Sequence, residues 1–262
     1  METLILLVTG ALSGLIAGLV GLAGGIVVVP VLTWLYGSAA LHDAIVISWF
    51  AVLFNSIGAA AKQYRIRTPE ERSEIINNSR FYVLGAVIVT PLVALTLNGA
   101  RHLVTPTLVA VLQLGLAAVM LWPVAESTGE RASNKVLDLC FGGLIGGVST
   151  LIGVGGGTYT IAYFVYAAKR KFQDAIATAN MTGLIIGALS VLGYLISLAF
   201  VDATTATNQP SPISTVGMVI LIVSGVIFSS LGVRLSRKLP TKVLRKILVV
   251  ALMISAIRLL MS

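Results

Sequence analysis

Two stretches decide the fold: Gly21-Leu22-Ala23-Gly24-Gly25 and Gly153-Val154-Gly155-Gly156-Gly157. Each interrupts an apolar segment, 4–36 and 136–168 respectively, that is too long for one membrane helix and too short for two ordinary spans. Glycine in a helix interior costs about 1 kcal/mol relative to alanine, so adjacent glycines there need a physical reason. Spaced glycines line one helix face and permit close packing, which is the reading for Gly10, Gly14 and Gly18 and for Gly142, Gly143, Gly146 and Gly147. Adjacent glycines cover no single face. They free the backbone to turn and to approach a ligand.

The surroundings of these stretches are those of a membrane protein. The 262 residues are 57% hydrophobic and 11% charged, with mean hydropathy +0.98, whereas soluble domains carry roughly 25% charged residues. Further apolar runs at about 41–61, 80–98, 104–123, 173–199, 213–234 and 241–261 have the length of single spans. The net charge of +8 comes from basic residues in short connections, and no basic helix or motif points to nucleic acid. Met1-Glu2-Thr3 lacks the basic start of a signal peptide, so no cleavage is expected. Cys140 reads as a small core residue.

The chain repeats itself. Gly21, Gly24 and Gly25 match Gly153, Gly156 and Gly157; Asp43-Ala44-Ile45 matches Asp174-Ala175-Ile176; Gly85–Ile88 matches Gly217–Ile220; Pro106-Thr107 matches Pro240-Thr241. The order is the same in both halves and the offset nearly constant. The reading is a first repeat over 1–123, a linker over 124–135 and a second repeat over 136–262.

Charge sets the orientation. Of 18 Lys and Arg, all but Arg101 and Arg258 fall in the connections 62–80, 124–135, 169–171 and 234–246. If each glycine-broken segment crosses once, these connections lie on opposite sides. If each is a hairpin that returns to its own side, all four face the cytoplasm, as the positive-inside rule requires. Two short full crossings would give the same parity. Both termini are then extracytoplasmic and the halves are inverted. The expected fold is all-α and polytopic, with two inverted repeats, each a broken-helix hairpin plus three spans. Inverted repeats with broken helices are the architecture of many secondary transporters.

A half-helix that starts after a glycine run offers unpaired N–H groups and a positive dipole end, which is an anion site made of backbone. This selects Gly24 and Gly25 in the first half, and Gly155, Gly156 and Gly157 in the second. Polar side chains able to complete it are Ser48, Asn55 and Ser56, then Ser149, Thr150, Thr158, Tyr159, Thr160, Asn180 and Thr182. Asp43 and Asp174 each open a span and read as helix N-caps. No carboxylate sits at a helix centre, which disfavours carboxylate-based proton antiport. His42 and His102 are singletons without metal-ligand spacing, and no catalytic set assembles, so no metal, cofactor or enzymatic activity is expected. Trp34 and Trp122 fall where interfacial anchors belong. A potential-driven carrier of a small anion is the leading reading, beside a channel-like anion conductance and a non-transporting membrane subunit. The partners expected are a small anionic substrate and the lipid bilayer, with a homodimer left open and nucleic acid not expected.

The motifs Gly14-x3-Gly18-x2-Gly21-x2-Gly24-Gly25 followed by Pro30, and Gly153-x-Gly155-Gly156-Gly157, resemble the sulfite exporter TauE/SafE family, and the resemblance runs from the first motif to Pro240-Thr241. It implies inner-membrane transport of sulfite, an organosulfonate or a related organic acid, with Gly24, Gly25, Gly155, Gly156 and Gly157 at the substrate site. Two departures stand out. Ala23 occupies the place of Gly155, and Ala162 the place of Pro30, so the two breaks need not be equivalent.

Overall fold

In the computed structural model, residues 2–21, 24–96, 104–122, 134–200 and 214–261 are described. They form α1 (Glu2–Val20), α2 (Gly25–Tyr36), α3 (Leu41–Ile66), α4 (Pro69–Thr96), α5 (Pro106–Leu121), α6 (Lys135–Ile152), α7 (Gly157–Ala162), α8 (Phe172–Phe200), α9 (Thr215–Ser236) and α10 (Thr241–Leu260). A π-helical turn, Tyr163–Ala167, continues α7. Six of these helices are long and apolar enough to cross a membrane, and α2 and α5 are shorter apolar helices. The chain is an all-α, multi-pass membrane protein. Ala23, Arg101, His102, Asp202 and the linker up to position 133 lie outside the described residues.

Local chemistry fixes the helix starts. Thr68 and Glu71 exchange hydrogen bonds across the first turn of α4, with Pro69 between them, a complete capping box. Side chains of Thr105, Asn134 and Ser214 cap α5, α6 and α9 in the same sense. Asp43 and Asp174 do not act as the N-caps expected of them. Both lie inside the first turn of their helices, where a carboxylate still complements the dipole. Asp174 is held there by Arg67 from the end of α3, at 2.8 Å.

The two halves pack as copies of one plan. α1 lies on α9 as α6 lies on α4; α3 meets α9 as α8 meets α4; α2 rests on α3 as α7 rests on α8; α5 pairs with α10. Direction follows from which residues touch. A Cβ on Gly10, Gly14 or Gly18 would strike Leu221, Gly225 or Ser229, so α1 and α9 run parallel. Gly225 meets Asn55, and Arg237 donates to the Ile66 carbonyl, so α3 runs with them. α4 turns back after Ile66, and α6 follows α4, with Gly142 on Tyr82 and Gly146 beside Thr90. α6 therefore opposes its counterpart α1. The counterparts α3 and α8 cross antiparallel, with Arg67 at Asp174, Leu53 at Gly187 and Trp49 against Tyr194. The repeats are inverted.

One of the sequence matches does not survive as a structural correspondence. Gly10 and Gly142 are 132 positions apart, but Leu221 and Tyr82, on which they rest, are 139 apart. Gly85–Ile88 and Gly217–Ile220 are thus two helical turns out of register. The cause is the connection before each helix, which is far longer between α8 and α9 than between α3 and α4.

Both broken segments return to the end they entered from. The Tyr36 hydroxyl donates to Glu2, which joins the exit of the first hairpin to its entrance. The Tyr163 hydroxyl donates to Asp138 in the first turn of α6, and Tyr166 donates to the Trp122 carbonyl. Among the described residues, the basic connections gather at one end of the bundle. There Arg67 binds Asp174, Arg170 approaches Glu74, Gln173 binds the Ser236 carbonyl and Arg245 caps the carbonyl end of α5. Arg67→Gln should lower stability by about 1–3 kcal/mol, between the values for exposed and fully buried pairs, because its side chain is nearly buried while Asp174 is a third exposed. A thermal melt in detergent measures this.

Cys140 is exposed, not a core residue; it lies on the outer face of α6, away from Asp138. Trp34 and Trp122 are exposed near helix ends, as anchors should be.

Candidate anion site at the paired helix breaks

The glycines do at the breaks what only glycine does without strain. Gly21, Gly24, Gly153, Gly155 and Gly156 all have positive φ, between 67° and 85°. Gly24 caps α2 and Gly156 caps α7, each in the left-handed region, with Gly25 and Gly157 as first helical residues. In α2 the Val27 N–H already bonds the Gly24 carbonyl at 3.1 Å; the N–H groups before it, like those that open α7, precede the first intrahelical acceptor.

The two breaks meet. A Cβ on Gly25 would overlap the Gly153 carbonyl and stand 2.9 Å from Val154 Cα. Hairpins from opposite ends of the bundle can touch only between those ends. Gly24 lies beside Asn55 and Gly156 beside Ile186, both near mid-length of α3 and α8. The surroundings obey the internal two-fold. Gly21 rests on Ile176 and Ala179, and Gly153 rests on the equivalent Ile45 and Ser48.

The polar side chains do not follow that symmetry. Ser48 donates to the Gly153 carbonyl at 2.6 Å or to Ile45 at 2.7 Å, and Trp49 Nε1 donates to the Thr150 carbonyl at 3.1 Å. Ser48 has a single proton and spends it on backbone, so it caps the end of α6 and shapes the break. Asn55 Nδ2 donates to Ser13 at 2.8 Å and packs against Gly24, while its Oδ1 lies on Gly225 with no hydrogen-bond partner. The second half places Ile186 and Ser149 beside Gly156. Trp49 in α3 is matched by Asn180 in α8.

Buried polar groups in a folded protein are normally hydrogen-bonded. Here Ser56 Oγ, Ser149 Oγ, Thr158 Oγ1, Tyr159 OH and both amide atoms of Asn180 are buried without a partner among the described residues. Thr150, Thr160 and Thr182 are satisfied instead, the first by Gly146 and Ser190, the second by Tyr82, the third by backbone. Of the residues selected from the sequence, the structure brings Gly24, Gly25 and Asn55 into contact with each other or with the second break, and Ser48 onto Gly153. Gly155, Gly156, Gly157, Thr158 and Tyr159 follow one another through the second break, and Asn180 stands one residue beyond the Ala179 that supports Gly21. Ser13 was missed. It sits inside the Gly10-x3-Gly14 stripe, where its only visible signal was a hydroxyl on a packing face.

A model of the family "Sulfite exporter TauE/SafE" matches residues 6–259, nearly the whole chain and both breaks. The chain belongs to the sulfite exporter TauE/SafE family. Among curated relatives, a protein of Haemophilus influenzae named a probable membrane transporter protein is 25% identical over 99% of this chain and 98% of its own length. A protein of Methanocaldococcus jannaschii, also named a probable membrane transporter protein, is 24% identical over 92% of this chain and 89% of its own. No solved structure matches. Family and relatives together make this TauE/SafE chain a membrane transporter.

Proposed function

We propose that this protein is an exporter of a small sulfur-containing anion, sulfite or an organosulfonate, and that it binds the anion where the two helix breaks meet. The observation that carries the reading is the meeting itself: two left-handed glycine turns, each opening a helix, abut midway along the bundle beside buried polar atoms that lack partners. Backbone N–H groups at Gly24, Gly25, Gly156 and Gly157 supply donors and the dipole end. The second amide hydrogen of Asn55, the hydroxyls of Thr158 and Tyr159 and the Asn180 amide complete the shell, and Ser48 and Gly155 set its backbone. The breaks are packed on each other in this structure, so the anion enters by parting them.

The basic end faces the cytoplasm of an inner membrane, which leaves both termini outside, with 1–123 and 136–262 as the repeats and 124–135 as a cytoplasmic linker. Lys and Arg at that end concentrate anions. Export then runs downhill on a potential that is negative inside, worth about 2.3 kcal/mol per charge per 100 mV.

Trp49 reports on the site, because its indole nitrogen is bonded to the end of α6 beside the second break. In a Trp34→Phe, Trp122→Phe protein, sulfite or sulfoacetate should change Trp49 fluorescence saturably, with acetate and sulfate much weaker. An identical, non-saturating response to all four anions would refute the site. Counterflow of labelled substrate separates a carrier, which shows it, from a channel.

A further inference from the structure

An apolar cavity lies on the outer side of the first hairpin and reaches Ile26 and Val27, just beyond Gly25. It holds about 530 Å³ between α1, α2 and α10, opens at the end opposite the basic connections, and is walled almost wholly by apolar side chains. The internal repeat shows what this space is. In the second half, the positions equivalent to Thr9, Val31 and Trp34 of the cavity wall are Phe141, Tyr163 and Tyr166, each 132 residues on. There Phe141 and Tyr163 stack with ring centroids 4.9 Å apart, Tyr82 and Phe164 close over Tyr163, and Tyr166 is tied to the end of α5. The protein fills that groove with its own aromatic rings. In the first half Thr9 and Val31 are smaller than the Phe141 and Tyr163 that correspond to them, and the groove stays open.

Interiors are close-packed, and an apolar void forfeits dispersion contacts along its whole lining. In a membrane protein the molecule at hand to fill such a void is a lipid chain. Two polar groups on α10 say which lipid. Arg258 lies at the mouth, exposed, with its guanidinium 5.5 Å from the Trp34 ring. It is one of only two basic residues outside the basic connections. One helical turn deeper, Ser255 is 3% exposed, lines the cavity, and its hydroxyl has no hydrogen-bond partner among the described residues. A cation at the interface and a donor one turn below it match the phosphate and the ester carbonyl of a glycerophospholipid.

We propose that the α1–α2–α10 groove is a binding site for one anionic phospholipid from the leaflet at this end: an acyl chain fills the cavity, Arg258 holds the phosphate and Ser255 donates to the ester carbonyl. The lipid does for the first hairpin what Phe141 and Tyr163 do for the second, and buttresses α2 behind Gly24 and Gly25. The site stands independently of which anion is transported.

Native mass spectrometry of the full-length protein, delipidated in detergent and titrated with phosphatidylglycerol or phosphatidylcholine of identical chains, tests this. Wild type should retain one phosphatidylglycerol per chain in preference to phosphatidylcholine. Arg258→Gln should remove that preference, a loss of at least 5-fold in phosphatidylglycerol affinity, with chain binding kept. Thr9→Phe with Val31→Tyr, which copies the second half into the first, should abolish retention of both lipids. Retained preference in Arg258→Gln, or unchanged retention in a folded Thr9→Phe, Val31→Tyr protein, would overturn the proposal. Should the double variant fail to fold, the Arg258→Gln titration decides alone.

Discussion

A Gly156→Val protein folds, inserts and binds no anion. The φ of Gly156 is +73°, a conformation that costs an L-residue about 1–2 kcal/mol and a β-branched one more. A Cβ there would also stand 2.7 Å from Ile186 Cδ1 and 3.2 Å from Ser149 Oγ. Ile186 and Ser149 can yield by a side-chain shift, but the positive φ cannot be kept by valine without strain; the backbone turns, and with it the N–H groups of Gly156 and Gly157 proposed to bind the anion. Misdirecting them should cost at least 100-fold in affinity, about 2.7 kcal/mol. The Trp49 titration reads the affinity, and a thermal melt confirms that the loss is not unfolding. Undiminished affinity in the folded variant would move the site elsewhere.

Leucine at Gly14 has the second large effect, on assembly. A Cβ there falls on the carbonyl of Gly225, a backbone atom that cannot swing aside. The seam of α1 on α9 joins the first hairpin to the opposite half, so forcing it open should cost more than about 4 kcal/mol, beyond ordinary overpacking. Gly115→Leu is the control, since a Cβ at Gly115 meets nothing within 4 Å. We expect Gly14→Leu to aggregate on size exclusion and Gly115→Leu to elute and melt as wild type. Equal behaviour of the two would contradict the α1–α9 packing.

Much of this arrangement is written in the sequence because glycine and charge are read independently of tertiary context. Adjacent glycines marked both breaks, stripes four residues apart marked both helix seams, and the basic connections that the positive-inside rule groups together do come to one end. Other features depend on contacts no local pattern contains. Asp43 and Asp174 look like caps because each precedes an apolar run, yet the helices begin before them, and Asp174 answers to Arg67 from the other half. The Gly85 and Gly217 match looked as good as the rest, but the long α8–α9 connection shifts α9 by two turns. Ser48 was selected as a ligand donor, and only the approach of Gly153 reveals that its proton is taken. Conversely, the buried Asn180, with neither amide atom paired, gives its selection from composition a physical motive. The asymmetry between the halves, with Asn55 against Ile186 and Thr9 against Phe141, becomes legible only once the structure fixes which residues correspond.

The central claim, a potential-driven anion carrier of the TauE/SafE family, is tested most directly by flux in proteoliposomes of purified protein. The membrane potential is imposed, no pH gradient is present, and sulfite, sulfoacetate, sulfate and acetate are offered separately. The account predicts saturable, potential-dependent movement of one sulfur anion, abolished by Gly156→Val. Movement of none of them under the potential alone, with transport restored only by a proton gradient or not at all, would contradict it.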